Sequence, residues 1–296
     1  MAFLGVDIGS STTRAALIDE DFHMLALANG PTHIDDNFQT TVDDVYAASR
    51  KALDQVGFRF GAIDAICISV SGVADDKTGR VFSPVLHWID PMPVRTIVHR
   101  YVSVPVFVSN DATAAAIGEA HYGSGMSYGR FALLRMGTLI EIAMASDGAP
   151  FESDLLPAQV ATEGEFLLEA HELRAHEEGE DGIDLSGIDL SGIGLGMIRS
   201  SQVTEEARRG NPIAIAAMDW LAERITEGLV ETCCDACPEA AIISGATQRD
   251  QLSLGKLITR KLAETRSAIA GIPIECSVLG NDAKAFGAAI IALQRS

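Results

Sequence analysis

At 296 residues, 47% of them hydrophobic, the chain is long enough for two domains of ordinary size and too apolar for wholesale disorder. Its 41 acidic residues against 22 basic ones give a net charge of −19, which repels nucleic-acid backbones, so no nucleic-acid partner is expected. No run approaches the ~20 apolar residues of a membrane span, no basic-then-apolar leader opens the chain, and five irregularly spaced cysteines fit reduced thiols; no membrane association and a cytoplasmic location are expected.

Taken in chain order, Phe3 to Asp19 comes first and is the most informative stretch. Leu4, Val6 and Ile8 alternate with small or polar residues, and Ala15 to Ile18 resume an apolar strand after a turn. Between them lie Gly9, Ser10, Ser11, Thr12 and Thr13, small and rich in hydroxyls, with Asp7 ending the first strand. Such a turn can aim N–H groups and hydroxyls at an anion, and a neighbouring carboxylate can hold Mg²⁺ directly or through water. It also reads as a plain hairpin with a polar turn, and this segment alone does not choose. A third strand is expected over Phe22 to Leu27, an amphipathic helix over Thr41 to Val56, and a strand over Ala65 to Val70. That strand leads into a turn, Ser71 to Asp75. Trp88 falls in an irregular stretch with Pro84, Pro91 and Pro93, followed by a helix over Val94 to Tyr101. Strand Pro105 to Val108 delivers Asn110 and Asp111 to the start of an alanine-rich helix, Ala112 to His121. A helix N-terminus attracts an acid through its dipole alone, so Asp111 has a structural explanation as well as a chemical one.

The second half opens as the first does. Strand Phe131 to Leu134, turn Gly137-Thr138 and strand Ile140 to Ala145 suggest a duplicated architecture. The stretch 163–196 holds eight acidic residues between Glu163 and Asp181 and then the tandem repeat 183–192; a solvated helix followed by an irregular insertion is expected. A helical region from Ala207 to Cys237 is broken at Gly210-Asn211-Pro212. Strand Ala241 to Ile243 ends in Ser244-Gly245-Ala246, and the last helix follows Gly280, with Asn281 or Asp282 as its cap. Cys233 and Cys237 share a helix face but lack companion ligands, so they read as thiols rather than a metal site.

Both turns, together with VPVFVSNDATAAAIGEA and LGNDAKAFGAA, make the chain resemble the ROK family of sugar kinases and repressors, of the actin-like ATPase superfamily. The resemblance implies an α/β fold of two actin-like, ribonuclease H-like domains facing an interdomain cleft. The expected division is 1–112 plus 281–296 for one domain and 113–280 for the other. It further implies ATP and Mg²⁺ as cofactors, a sugar as substrate and a homodimer as the assembly. Asp111 would be the general base that takes a proton from a sugar hydroxyl, and Asn110 and Gly72 would contact the sugar. Asp7 would orient Mg²⁺, Gly9, Ser10, Ser11 and Thr12 would hold phosphates, and Gly137, Thr138 and Gly245 would serve the nucleotide.

Three departures stand beside these matches. The family's first turn ordinarily carries a lysine, absent from Gly9-Ser10-Ser11-Thr12, so a cation near the phosphates is lost. Its second turn ordinarily carries glycines where this chain has Leu139 to Ala143; Leu139 would crowd a phosphate, and Glu141 would repel it or turn to solvent. The family's zinc cysteines are missing from 150–190, so no zinc is expected; His171 and His176 read as a solvated face, and Glu165 as a stand-in for a sugar contact. Two functions follow: an ATP-dependent kinase of a hexose or N-acetylhexosamine, or a catalytically degenerate sensor of sugar or nucleotide. A DNA-binding repressor is disfavoured by charge and by the two residues that precede Phe3.

Overall fold

The computed structural model describes residues 1–34, 38–150, 157–163, 165–167, 200–233 and 235–296. His171, His176, Cys234, the repeat 183–192 and nearly all of the acidic stretch 163–196 lie outside the described residues. The chain divides into two compact units, 1–129 with 143–157 and 281–296, and 130–142 with 158–280.

In the first unit the alternation of Phe3–Asp19 produces a hairpin. β1 (Ala2–Ile8) and β2 (Thr12–Asp19) pair antiparallel, Ile8 opposite Thr13, and Gly9 N–H donates to the Thr12 carbonyl to close the turn. β3 (Met24–Pro31) extends the sheet, further along the chain than the sequence suggests. After α1 (Phe38–Gln55), β4 (Ala65–Val70) lies parallel to β1. The stretch beyond it differs from expectation. β5 (Val73–Asp75) takes part of the expected turn, and with β6 (Arg80–Ser83) and β7 (Trp88–Met92) it makes a small antiparallel sheet. Trp88 therefore begins a strand, and Pro91 is tolerated because β7 is an edge strand. A short helix, α2 (Val94–Val98), precedes β8 (Val106–Asn110), which lies parallel to β4 and runs into α3 (Asp111–Tyr122). The main sheet is thus ordered β3-β2-β1-β4-β8.

β9 (Arg130–Met136) and β10 (Leu139–Ser146), joined through Gly137-Thr138, repeat the opening hairpin. β11 (Ala149–Pro150) and β12 (Ala158–Thr162) both pair with β10. The expected broken helix is α4 (Ser200–Arg208) and α5 (Pro212–Cys233). β13 (Ala240–Ser244) lies parallel to β9, α6 (Gln248–Glu264) follows, and β14 (Ile274–Cys276) lies parallel to β13. The order β11-β10-β9-β13-β14 reproduces the first sheet, an antiparallel start followed by two parallel additions.

The final helix, α7 (Ala283–Arg295), returns to the first unit and packs on β1 and α3. Successive strand residues face opposite sides of a sheet. Leu4, Val6 and Ile8 share a core with Ala48, Ala52 and Leu53 of α1. Gly5 and Asp7 face α7 instead: a Cβ on Gly5 would strike the Ala285 carbonyl and the Ala289 amide. Gly118 of α3 abuts the Ala283 carbonyl, and Gly287 of α7 abuts Ala114, so the two helices cross with no side chain between their backbones at these points.

Candidate active site

Asp7 is fully buried at the end of β1, on the face that meets α7. Ser69, opposite it on β4, approaches its Oδ1 at 3.5 Å, and the Lys284 Nζ lies 2.8 Å from its Oδ2. The Lys284 contact is an ion pair rather than a well-aligned hydrogen bond. Burial pushes the Asp7 carboxyl up from its ordinary range; the Lys284 ammonium opposes that shift and the Asp111 carboxylate adds to it.

Asp111, the first residue of α3, is 2% exposed, and its Oδ2 lies 3.9 Å from the same ammonium. Two acids far apart in the chain therefore converge on one cation. Lys284 is the residue that sequence reading missed. It is the second residue of α7, its side chain only 10% exposed, in the otherwise apolar run AKAFGAAIIAL. A lone lysine on a buried helix face was the available signal. A cation at a helix N-terminus also opposes the helix dipole, so its position depends on the two carboxylates.

Asn110 is the N-cap of α3: its Oδ1 accepts from Ala112 N (2.6 Å) and Thr113 N (3.2 Å). Its Nδ2 donates to the Gly72 carbonyl at 2.7 Å, so the two residues expected at the sugar are hydrogen-bonded to each other. Gly72 has φ +135°, and a Cβ there would meet the Phe82 carbonyl, which explains the glycine. At the first turn Ser10 and Ser11 are exposed and Gly9 and Thr12 half-buried, whereas the Thr13 hydroxyl is bonded to Thr32 in the core. The Lys284 ammonium comes within 3.9 Å of where a Gly9 Cβ would be, so it lies against this turn. Asp282 stands at the N-cap position of α7 but makes no capping bond; its carboxylate holds Arg14 on β2 at 3.2 Å.

In the second unit Glu141 faces neither a phosphate cradle nor solvent. It is buried, with its Oε2 2.7 Å from Arg135 Nη2 and 3.2 Å from Nε across the hairpin. Arg135 is the second residue that sequence reading missed, and its guanidinium lies over Gly137, leaving no room for a Cβ there. Thr138 is exposed, its carbonyl accepting from Glu163 N, and Leu139 is half-buried opposite Thr162. Gly245 has φ +90° and passes so close to the Met136 carbonyl that no side chain fits. Glu165 accepts from Thr162 N while Thr162 Oγ1 accepts from Glu165 N, a reciprocal helix cap that explains this glutamate without a sugar. Cys233 is buried in α5 and its thiol is pushed up to about 12 by burial.

The chain has relatives among known proteins. The family model described as ROK family matches residues 3–153. A glucokinase of Streptomyces coelicolor is 32% identical over 137 residues, 46% of this chain and 40% of its own length, so the match spans less than half of that relative. A ROK family glucokinase of Streptomyces griseus, solved in complex with glucose and AMPPNP, superimposes with a TM-score of 0.76 at 24% identity, covering 99% of this chain and 100% of its own. A ROK hexokinase of Thermus thermophilus gives a TM-score of 0.74 at 19% identity, covering 100% and 99%. The fold is therefore the actin-like α/β fold with two domains.

Proposed function

This chain belongs to the ROK family, and from that premise we propose that it is an ATP-dependent sugar kinase acting on a hexose or an N-acetylhexosamine. The convergence of Asp7 and Asp111 on the Lys284 ammonium carries the reading. Phosphoryl transfer asks the protein for positioning and charge rather than covalent chemistry. In this reading Asp111 accepts the proton of the sugar hydroxyl as its oxygen attacks the γ-phosphorus and ADP leaves. Asn110 and Gly72, fixed against each other, present the sugar side; Gly9, Ser10, Ser11 and Thr12 receive phosphate oxygens. In the second unit Gly137, Thr138 and Gly245 are the proposed nucleotide-side positions. The solved relative that holds glucose and AMPPNP supports both the sugar class and ATP as donor.

Magnesium, which the resemblance puts at Asp7, meets a charged competitor there. The Asp7 Oδ2 that would ligate it is 2.8 Å from an ammonium. A divalent ion bound directly at that oxygen would face the lysine's charge, so Oδ2 does not fit one, and no step is routed through it.

A second reading, a sugar- or nucleotide-binding protein without transfer, is favoured by one observation. The second turn holds a buried Arg135–Glu141 pair where glycines would leave room for phosphate. Coupled ADP release measured across a panel of hexoses and N-acetylhexosamines separates the two. The kinase reading expects sugar-dependent turnover, and an Asp111→Asn loss in kcat of about 10²–10⁴-fold with little change in the KM for ATP. Absence of turnover with every sugar, alongside a nucleotide-induced rise in melting temperature, supports the binding protein instead.

A further inference from the structure

The first turn offers hydroxyls and amides but no cation of its own, and Arg14, on β2 just beyond it, pairs with Asp282 and acts on the Asp7 carboxylate only through its field. One positive charge nevertheless reaches the turn from the far end of the chain. The Lys284 Nζ lies 2.8 Å from Asp7, 3.9 Å from Asp111 and beside Gly9. Its side chain keeps 10% of its exposure, and an ammonium carries three hydrogens where only two carboxylates stand beside it. Placing that ammonium at a helix start, in a nearly dry setting, is unfavourable by dipole and by desolvation. Structural filling of an apolar helix face would be met better by alanine, as at Ala283 and Ala285 on either side.

We propose that Lys284 is the resident cation of the phosphate site: held between Asp7 and Asp111, its ammonium contacts the terminal phosphate of the nucleotide and takes over the charge neutralisation otherwise given to a metal ion beside Asp7. This deepens the nucleotide-binding reading above and rests on it. An ammonium fixed by two carboxylates is already oriented, so a phosphate oxygen gains a charge-assisted hydrogen bond at little ordering cost. The consequence is a nucleotide affinity that depends on Lys284 and only weakly on divalent ions.

Calorimetric titration of the full chain with ATP, once in EDTA and once in excess Mg²⁺, tests this. Wild-type dissociation constants should agree within about threefold between the two conditions, Lys284→Met should weaken binding in EDTA by about tenfold or more, and Lys284→Arg should stay within about threefold of wild type. If Lys284→Met does not fold, Asp7→Asn with Lys284→Met removes charge on both sides and carries the same expectation. Wild-type binding that vanishes in EDTA, Lys284→Met binding ATP in EDTA as tightly as wild type, or an equal loss in the Met and Arg variants overturns the proposal while leaving the kinase reading intact. No ATP binding by wild type in either condition overturns the nucleotide reading itself, and this inference with it.

Discussion

Single charges in apolar surroundings are the residues that matter most here, and they differ in how readable they are. Asp7 and Asp111 announce themselves locally, one ending a strand and the other opening a helix. Lys284 and Arg135 do not, because each acquires its meaning only from partners: Lys284 from acids far away in sequence, Arg135 from Glu141 across a hairpin. Glu141 was legible as a problem for a phosphate but not as half of an ion pair. Side-chain exposures of 8% and 5% put the Arg135–Glu141 pair among buried bridges, where removing one partner leaves an uncompensated charge. Glu141→Ala should therefore destabilise the chain by about 3–5 kcal/mol in urea melts, whereas Arg135→Met with Glu141→Leu should recover most of that loss. A Glu141→Ala cost under about 1 kcal/mol would mean that the pair behaves as a solvated surface bridge.

Helix and strand packing brings Asp7, Asp111 and Lys284 together within the first unit. Strands with clean alternation and the two hairpins were legible from period and turn residues, and Ala65–Val70 is reproduced to the residue. The small sheet β5-β6-β7 was not, because three prolines masked its pairing, and β14 is too short to show a period. Nor was the backbone contact of α3 with α7 visible, since glycines and alanines in a helix suit many neighbours equally. That contact sets the distance from Lys284 to Asp111, for Gly118 and Gly287 let the helices meet without side chains between them. Gly287→Ala should force the pair apart. Overpacking of this kind costs about 1–3 kcal/mol, and nucleotide affinity should fall together with the melting temperature. A variant with unchanged stability would show that the crossing has slack.

Across the whole molecule, charge opposes DNA binding. A net charge of −19 opposes association with the DNA backbone, whatever the fold shares with repressors. Fluorescence anisotropy with random duplex DNA at about 50 mM salt should show no association at protein concentrations of roughly 10 µM, where nonspecific DNA binders begin to saturate. Salt-sensitive binding there would reverse the assignment. The repeated sheet order was legible as two strand-turn-strand openings, but which sugar the proposed kinase would take was not, because the expected sugar-contact and zinc segment is missing from 150–190. The account depends on Asp111 acting as the base for a phosphate acceptor. Phosphorus NMR of the chain incubated with ATP and the sugar that promotes ADP release tests that most directly: a sugar-phosphate ester resonance should grow with wild type and be absent over the same period with Asp111→Asn, whereas ester forming at comparable rates with both, or inorganic phosphate as the product, would contradict it.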